Sequence, residues 1–414
     1  MNTTKYVLIG AGLASAEAVK GIRKHDKDGD ILLVGAEPHL PYNRPPLSKD
    51  LLKGSKTRAD IFCEDEGFYR EAGVELKLGH TVTGLDAKKH TLTMDDGEER
   101  RFEKALLATG GSTVQLPHVS AEIEGVHYLR TVDDAESLER VARRTREAVV
   151  VGAGFIGMEV SATLTQMGVK VTVLEAQEHI WPRFAAPRLA DAIQSYYEDK
   201  GVAFITGDKL SRLNAAPAVT SVTTESGREI SCQLVCCAVG IKPDIDLGLE
   251  AGLDHENGLF VDKTMRTSHP DIYAAGDIAN FPDPYFGKRR RVEHWGQAEY
   301  SGGLAGENMA GADKPYDLLT YAWSEGFDLH YEFGGDEGSV GSVIWRGEFP
   351  YPNFVCFHVR DNRISAFIAV NPDDALLGPL ETLVKKRIDA APVRRQLADP
   401  DASLTDVVSA IKSA

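Results

Sequence analysis

Two short stretches hold small residues where chemistry requires them. In "VVVGAGFIGMEV" Gly152, Gly154 and Gly157 stand at the first, third and sixth places of one pattern, with Phe155 and Ile156 between the last two. Such spacing lets the backbone turn tightly, approach a pyrophosphate closely and pack the next helix on its strand, so that phosphates rest on a helix N-terminus. In "VLIGAGLASAEA" the same places hold Gly10, Gly12 and Ser15, with Leu13 and Ala14 between the last two. Serine is small enough to keep the packing. About twenty residues beyond each pattern a carboxylate follows the next apolar run, Glu37 and Glu175, able to accept from both hydroxyls of an adenosine ribose.

A third stretch, "LPYNRPPLSK" (40–49), delivers charge instead. Its three prolines fix φ near −65° and remove backbone donors, which excludes a central strand or a helix interior. It reads as a stiff surface path that carries Arg44, Pro45 and Lys49 to a fixed place.

The elements that must position these residues are legible as periodic runs. "KYVLIGAGLASAEAVKGI" with "GDILLVGAE", and "EAVVVGAGFIGMEVSATL" with "VKVTVLEA", each read as strand, glycine turn, helix, strand. "ALLATGG" (105–111), with Ala108, Thr109 and Gly110, and "DIYAAGDIA" (271–279), with Gly276 and Asp277, read as short buried strands ending in small-residue turns; Asp277 falls where a helix would begin. "LVCCAVG" is a buried strand running into a turn at Gly240. Beyond about residue 316, "GSVGSVIWRG" and "FVCFHVRDNRISAFIAVN" read as antiparallel strands, the latter pair turned at Asp361 and Asn362, before a helix in "GPLETLVKKRI".

Length and composition set bounds. A chain of 414 residues implies two or three domains. A formal net charge of −16 argues against nucleic-acid binding. No apolar run reaches the roughly 18 residues of a membrane span, and "MNTTK" leads straight into a strand rather than a signal peptide, so cytoplasmic residence is expected. The thiols Cys63, Cys232, Cys236, Cys237 and Cys356 are too scattered for a disulfide scaffold and read as reduced, with Cys236 and Cys237 structural. His269 and His294 read as structural groups, and no metal-ligand spacing is present.

Taken together, residues 4–330 resemble the two-dinucleotide flavoprotein reductases. "PYNRPPLSK", "LRTVDDA" (129–135), "GAGFIGMEV" and "VEHWGQA" (292–298) are most similar to the FAD-dependent ferredoxin reductases of bacterial oxygenase systems, relatives of putidaredoxin reductase and of apoptosis-inducing factor. The resemblance implies an α/β fold: a Rossmann-like FAD-binding domain (1–112 and 242–315), a Rossmann-like NAD-binding domain (113–241) and a small C-terminal α+β domain (316–414). It implies Asp277 on the ribityl chain of FAD, Pro45 against the isoalloxazine, Arg44 near the phosphates and Lys49 near flavin N5. Glu159 would meet Lys49 beside the nicotinamide. Arg130, Glu293, His294 and Trp295 come from the shared motifs, Arg183 is a local cation at a family position, and Trp323 in "YAWSEG" keeps one residue of an aromatic segment whose neighbours differ.

The activity implied is oxidation of NADH by FAD with single-electron delivery to a small ferredoxin-like carrier, by a monomer or homodimer. Two alternatives are an NADH-sensing protein like apoptosis-inducing factor and a quinone or monodehydroascorbate reductase. Disulfide reduction is not expected, since the paired or single cysteine of those branches is replaced by residues 45–49. Glu175 and Glu178 oppose a 2′-phosphate, so NADH is expected over NADPH. The basic run "KRRR" (288–291) is a candidate cationic rim for docking an acidic carrier.

Overall fold

A computed structural model describes residues 3–184, 186–336, 338 and 341–412. The chain divides into two units, one of Met1–Arg44, Arg58–Ser112 and Ile241–Thr320, the other of Pro45–Thr57, Thr113–Gly240 and Tyr321–Ala414. The proline path is therefore split between Arg44 and Pro45. The first unit also runs past residue 315, because Tyr316 is buried with its ring 4.4 Å from that of Phe281 and 5.2 Å from that of Tyr300.

In the first unit, strand Thr3–Ile9 pairs in parallel with Ile31–Gly35, Leu8 opposite Leu33, and Val74–Leu78 lies beyond. On its other side runs Glu99–Leu107, Leu8 opposite Leu106, which in turn pairs with Ile272–Ala274. The runs "YVLI" and "ILLV" are buried throughout, as a parallel sheet covered on both faces requires. Parallel neighbours need a crossover, and helix Leu13–His25 supplies it, burying Ala14, Ser15, Ala18, Val19 and Ile22. Its last turn carries Arg23, Lys24 and His25, cations suited to the negative end of the helix dipole.

This helix packs closely against helix Trp295–Met309, with glycines at the points of nearest approach. A methyl group added at Gly302 would sit 2.2 Å from the carbonyl oxygen of Ala14, and one at Gly306 would sit 2.2 Å from that of Ala18. From the other side, one at Gly21 would meet the carbonyl of Gly303 at 2.3 Å.

The second unit repeats the scheme with a five-stranded parallel sheet in the order Ala203–Ile205, Lys170–Leu174, Glu147–Val151, Leu234–Cys237, Val126–Tyr128. Helix Phe155–Gln166 makes the crossover. Helix Val132–Ala142 starts with a capping box: Thr131 Oγ1 accepts from Asp134 N at 3.1 Å, and Asp134 Oδ2 accepts from Thr131 N at 2.8 Å and Arg130 N at 3.1 Å. The "LRTVDDA" motif thus has a local structural purpose.

The C-terminal part of this unit is an antiparallel sheet in the order Tyr321–Gly326, Leu329–Gly335, Arg363–Val370, Phe354–Arg360, Ser342–Arg346. Asp361 and Asn362 make the expected turn with φ of 52° and 59°, the left-handed pair that joins twisted strands tightly. Strand Ser342–Arg346 begins later than "GSVGSVIWRG" suggests; residues 339 and 340 of that stretch lie outside the described residues. Helix Asp374–Lys385 follows. Among the described residues no helix is long and apolar enough to cross a membrane.

Candidate functional site

The first glycine turn is fixed by a close approach between two of the motifs. Gly10 has φ +106°, and a methyl group there would lie 2.3 Å from the carbonyl oxygen of Ala108. The turn Ala108, Thr109, Gly110 therefore presses on Gly10, with Thr109 Oγ1 donating to Asp244 O. Gly12 caps helix Leu13–His25 without a side-chain bond, and the space where its side chain would be is open. Ser15 is fully buried, and its Oγ has no hydrogen-bond partner among the described residues. An open helix N-terminus beside an orphaned hydroxyl is the surface an anionic group requires, so the residues present fit the phosphates of a dinucleotide.

Gly276, with φ +71°, approaches the same helix: a methyl there would be 3.5 Å from Ala14 Cβ, and its N–H donates to Ser301 Oγ at 2.9 Å. Asp277 does not cap a helix. It is the middle residue of a short 3₁₀ turn, Gly276–Ile278, whose cap position is Ala275. Glu37 accepts from Tyr42 Oη at 2.5 Å and Arg44 Nη2 at 3.1 Å, and the Arg44 guanidinium stands 5.3 Å from the Tyr42 ring centre. Trp295 opens its helix behind the cap position His294, and its indole N–H donates to Asn43 Oδ1 at 2.8 Å. Tyr42 and Asn43 carry these contacts from within the proline path, where the sequence draws attention to Arg44, Pro45 and Lys49 instead.

The second glycine turn is complete. Gly152 has φ +102° and a methyl there would meet Ala238 O at 2.5 Å; at Gly157 it would meet Gly152 O at 1.9 Å; at Gly154 the space is open. Glu175 is buried, with Oε2 accepting from Ala153 N at 2.7 Å and Oε1 from Gln177 N at 2.8 Å. The carboxylate is therefore a brace of the turn as well as a candidate ribose acceptor, and it cannot swing away without releasing two amides. Phe155 joins an aromatic cluster, 4.8 Å from Phe333 and 5.3 Å from Phe184, whereas Ile156 is 43% exposed. Arg183 lies in the 3₁₀ turn Pro182–Phe184, and Gly240 takes φ +108° over open space.

Lys49 ends the proline path in the same unit, and here the expectation of a surface path fails. Residues Pro45–Ser48 form a 3₁₀ turn, a place where prolines at the first positions lose no hydrogen bond, and Leu47 and Ser48 are buried. Lys49 Nζ stands 3.1 Å from Glu159 Oε1 and 4.7 Å from the Trp323 ring centre. Glu159, at the start of the second turn of helix Phe155–Gln166, also accepts from Ser48 Oγ and, at 2.7 Å, from Ser324 Oγ. Thr163, one turn on, donates to Ser48 O at 2.8 Å and ties the path to the helix. Ser48 and Ser324 carried no signal of this kind; both stand next to residues singled out, which is the only hint the sequence offers.

The basic run does not form a free rim. Arg289 donates to the carbonyls of Val261 and Asn280, each at 2.6 Å, and burial lowers its guanidinium pKa. Arg290 pairs with Asp283 at 3.1 Å, their side chains 9% and 1% exposed, and Arg291 pairs with Glu293 at 2.6 Å. Arg290 and Arg291 are thus committed within the first unit, while Lys288 and Arg289 are exposed. The thiols of Cys232, Cys236, Cys237 and Cys356 are buried, Cys63 partly so; desolvation pushes Cys63, Cys232 and Cys237 up to about 12, and raises the other two as well. A thiol that stays protonated is a poor nucleophile.

Residues 4–302 match the family described as pyridine nucleotide-disulphide oxidoreductase, and residues 321–408 match the family described as reductase C-terminal. The ferredoxin–NAD(+) reductase component of the anthranilate 1,2-dioxygenase system of Burkholderia cepacia is 32% identical over 406 residues, covering 98% of this chain and 99% of that protein. Among solved structures, the covalent putidaredoxin reductase–putidaredoxin complex superposes with a TM-score of 0.94 at 28% identity, covering 100% of both chains. The ferredoxin reductase for the CYP199A2 system of Rhodopseudomonas palustris gives 0.92 at 28% identity, over 99% of this chain and 100% of that one.

Proposed function

Because the chain belongs to the pyridine nucleotide-disulphide oxidoreductase family, we propose that it takes hydride from NADH onto bound FAD and passes electrons singly to a small ferredoxin- or rubredoxin-type carrier. Family membership is shared with disulfide reductases; the observation that carries the narrower reading is Lys49, held by Glu159 in a chain whose thiols are buried or partly buried. FAD, when bound, supplies both the acceptance of hydride and the change from two-electron to one-electron transfer.

The chain's own residues do the rest. Gly10, Gly12 and Ser15 bind the FAD phosphates at a helix N-terminus, and Glu37 takes the adenosine ribose. Gly152, Gly154 and Gly157 do the same for NADH, with Glu175 at its ribose. Pro45 and the 3₁₀ turn behind it orient the reacting rings, which brings the reacting atoms together without further ordering. Lys49 would supply a fixed positive charge to bound flavin, and Glu159 keeps that ammonium in place. The first unit takes the FAD role and the parallel sheet of the second the NAD role. Cytoplasmic residence fits a partner of this kind.

The test is an anaerobic titration of the FAD-loaded protein with NADH, then rapid mixing with ferredoxins, a rubredoxin and quinones. Bleaching by one equivalent of NADH and fast reoxidation by an iron–sulfur carrier is the expected result. Fast reoxidation by quinones alone, or a long-lived reduced state with every acceptor, would overturn it.

A further inference from the structure

The first unit carries a cluster of ligating side chains at the end of its sheet away from the glycine turns. Dinucleotides bind at the C-terminal ends of parallel strands. His269 and Asp271 stand instead just before strand Ile272–Ala274, and His90 stands beside them on the turn that leads into strand Thr91–Met94. A ring nitrogen of each histidine and a carboxylate oxygen of Asp271 all lie within 4.8 Å of one another. His90 Nε2 is 3.5 Å from Asp271 Oδ2. Bonds of about 2.0–2.2 Å from nitrogen or oxygen to a tetrahedral ion place neighbouring ligand atoms about 3.3–3.6 Å apart, so the cluster needs little movement to close on one.

Each member is held in position. The His90 ring stacks on Phe102 at 5.3 Å with only 3° between planes, and the His90 carbonyl accepts from Phe102 N at 3.0 Å. His90 takes φ +54°, a conformation that costs a non-glycine residue free energy and persists where surroundings impose it. The Asp271 carbonyl accepts from Ala105 N at 2.9 Å, so this residue is pinned to the central sheet. Asp271 N donates to His269 Nδ1 at 3.3 Å, which orients the ring, and a bound ion would take a ring lone pair in place of this long bond. All three side chains are partly exposed, which gives an ion a path in and a place for water.

We propose that His90, His269 and Asp271 bind a divalent first-row transition ion, zinc in the first place, with water completing the coordination. Two imidazoles and one carboxylate suit zinc; calcium and magnesium require oxygen ligands. The ion would join the turn at His90 to the start of strand Ile272–Ala274, segments far apart in the chain, which is why no ligand spacing is visible in the sequence. A second group, His80 with Asp95 and Asp96, has one histidine and two exposed carboxylates and serves as the control.

The test uses the FAD-loaded full chain, stripped of metal with a chelator and titrated with zinc chloride by calorimetry. One equivalent of zinc should bind to the native protein, raising its unfolding midpoint. Binding should be lost in His90→Asn, chosen because asparagine tolerates positive φ, and in His269→Gln, both checked for intact flavin absorbance. His80→Asn should bind as the native protein does. No uptake by the native protein, or uptake of undiminished affinity by flavin-loaded His90→Asn and His269→Gln, overturns the assignment.

Discussion

Lys49 Nζ and Glu159 Oε1 stand 3.1 Å apart with 13% and 5% of their side chains exposed, and Ser48 and Ser324 donate to the same carboxylate. The pair is screened little by water, so its geometry is kept, and Glu159 has hydroxyl donors of its own if the lysine is lost.

Lys49→Met keeps length and removes charge. Flavin reduction by NADH in stopped flow is expected to slow by about ten- to a thousandfold, the range for losing one fixed electrostatic stabiliser, with FAD content unchanged. A rate close to that of the native protein would mean that the ion pair only packs.

For the nucleotide, Glu175 matters because it is immobile: each of its oxygens holds a backbone amide. A 2′-phosphate would have to lie against a carboxylate that cannot retreat. The ratio of kcat/KM for NADH over NADPH is expected to be about ten or more, about 1.4 kcal/mol. Glu175→Ala should narrow the ratio mainly by harming NADH, since the brace on Ala153 goes with it. Equal kcat/KM in the native protein would contradict the placement.

Arg290 is expected to matter for folding rather than for docking. Asp283, its partner, is 1% exposed, so Arg290→Met leaves a buried carboxylate without its cation, with the amides of Tyr285 and Phe286 on its other oxygen. Urea unfolding should register a loss of about 3–5 kcal/mol, the range for breaking a buried pair from one side. A stable variant with impaired acceptor reduction would return the residue to an interaction surface.

His330 gives stability a pH dependence on the alkaline side. Glu325 at 3.4 Å and Glu332 at 2.6 Å raise its pKa from 6.5 to about 9. A folded-state value above the unfolded one means stabilisation that is fully present below pH 6.5 and lost as pH rises through about 9. Denaturant midpoints should fall across that window in the native protein and stay flatter in His330→Gln. The ring is 40% exposed, so solvent moderates the effect.

Local chemistry was legible in the sequence, and contacts between distant segments were not. The glycine turns declare themselves because their spacing is local, although the carbonyls that crowd Gly10 and Gly152, those of Ala108 and Ala238, come from far along the chain, and the parallel strands because their runs are apolar throughout. The turn at Asp361 and Asn362 was visible for the same reason. Strands Tyr321–Gly326 and Leu329–Gly335 mix glycines, charges and aromatics, which blurs any alternation, and the early residues gave no period to read. The arginine run stayed ambiguous because charge in a sequence says nothing about whether a carbonyl or a buried aspartate waits for it. The capping box at Thr131 and Asp134 is open to view in "LRTVDDA", a motif whose Arg130 alone reads as a cofactor contact.

The seam between helices Leu13–His25 and Trp295–Met309 limits how this protein can be improved. Replacing helical glycine with alanine ordinarily gains about 0.5–1 kcal/mol and is among the safest routes to a hardier enzyme. Here Gly21, Gly302 and Gly306 each face a carbonyl oxygen at 2.2–2.3 Å from any added methyl. The route is closed at all three, and a design effort guided by helix propensity alone would select these sites and fail at them. Gains in heat tolerance are therefore to be sought at residues away from the seam.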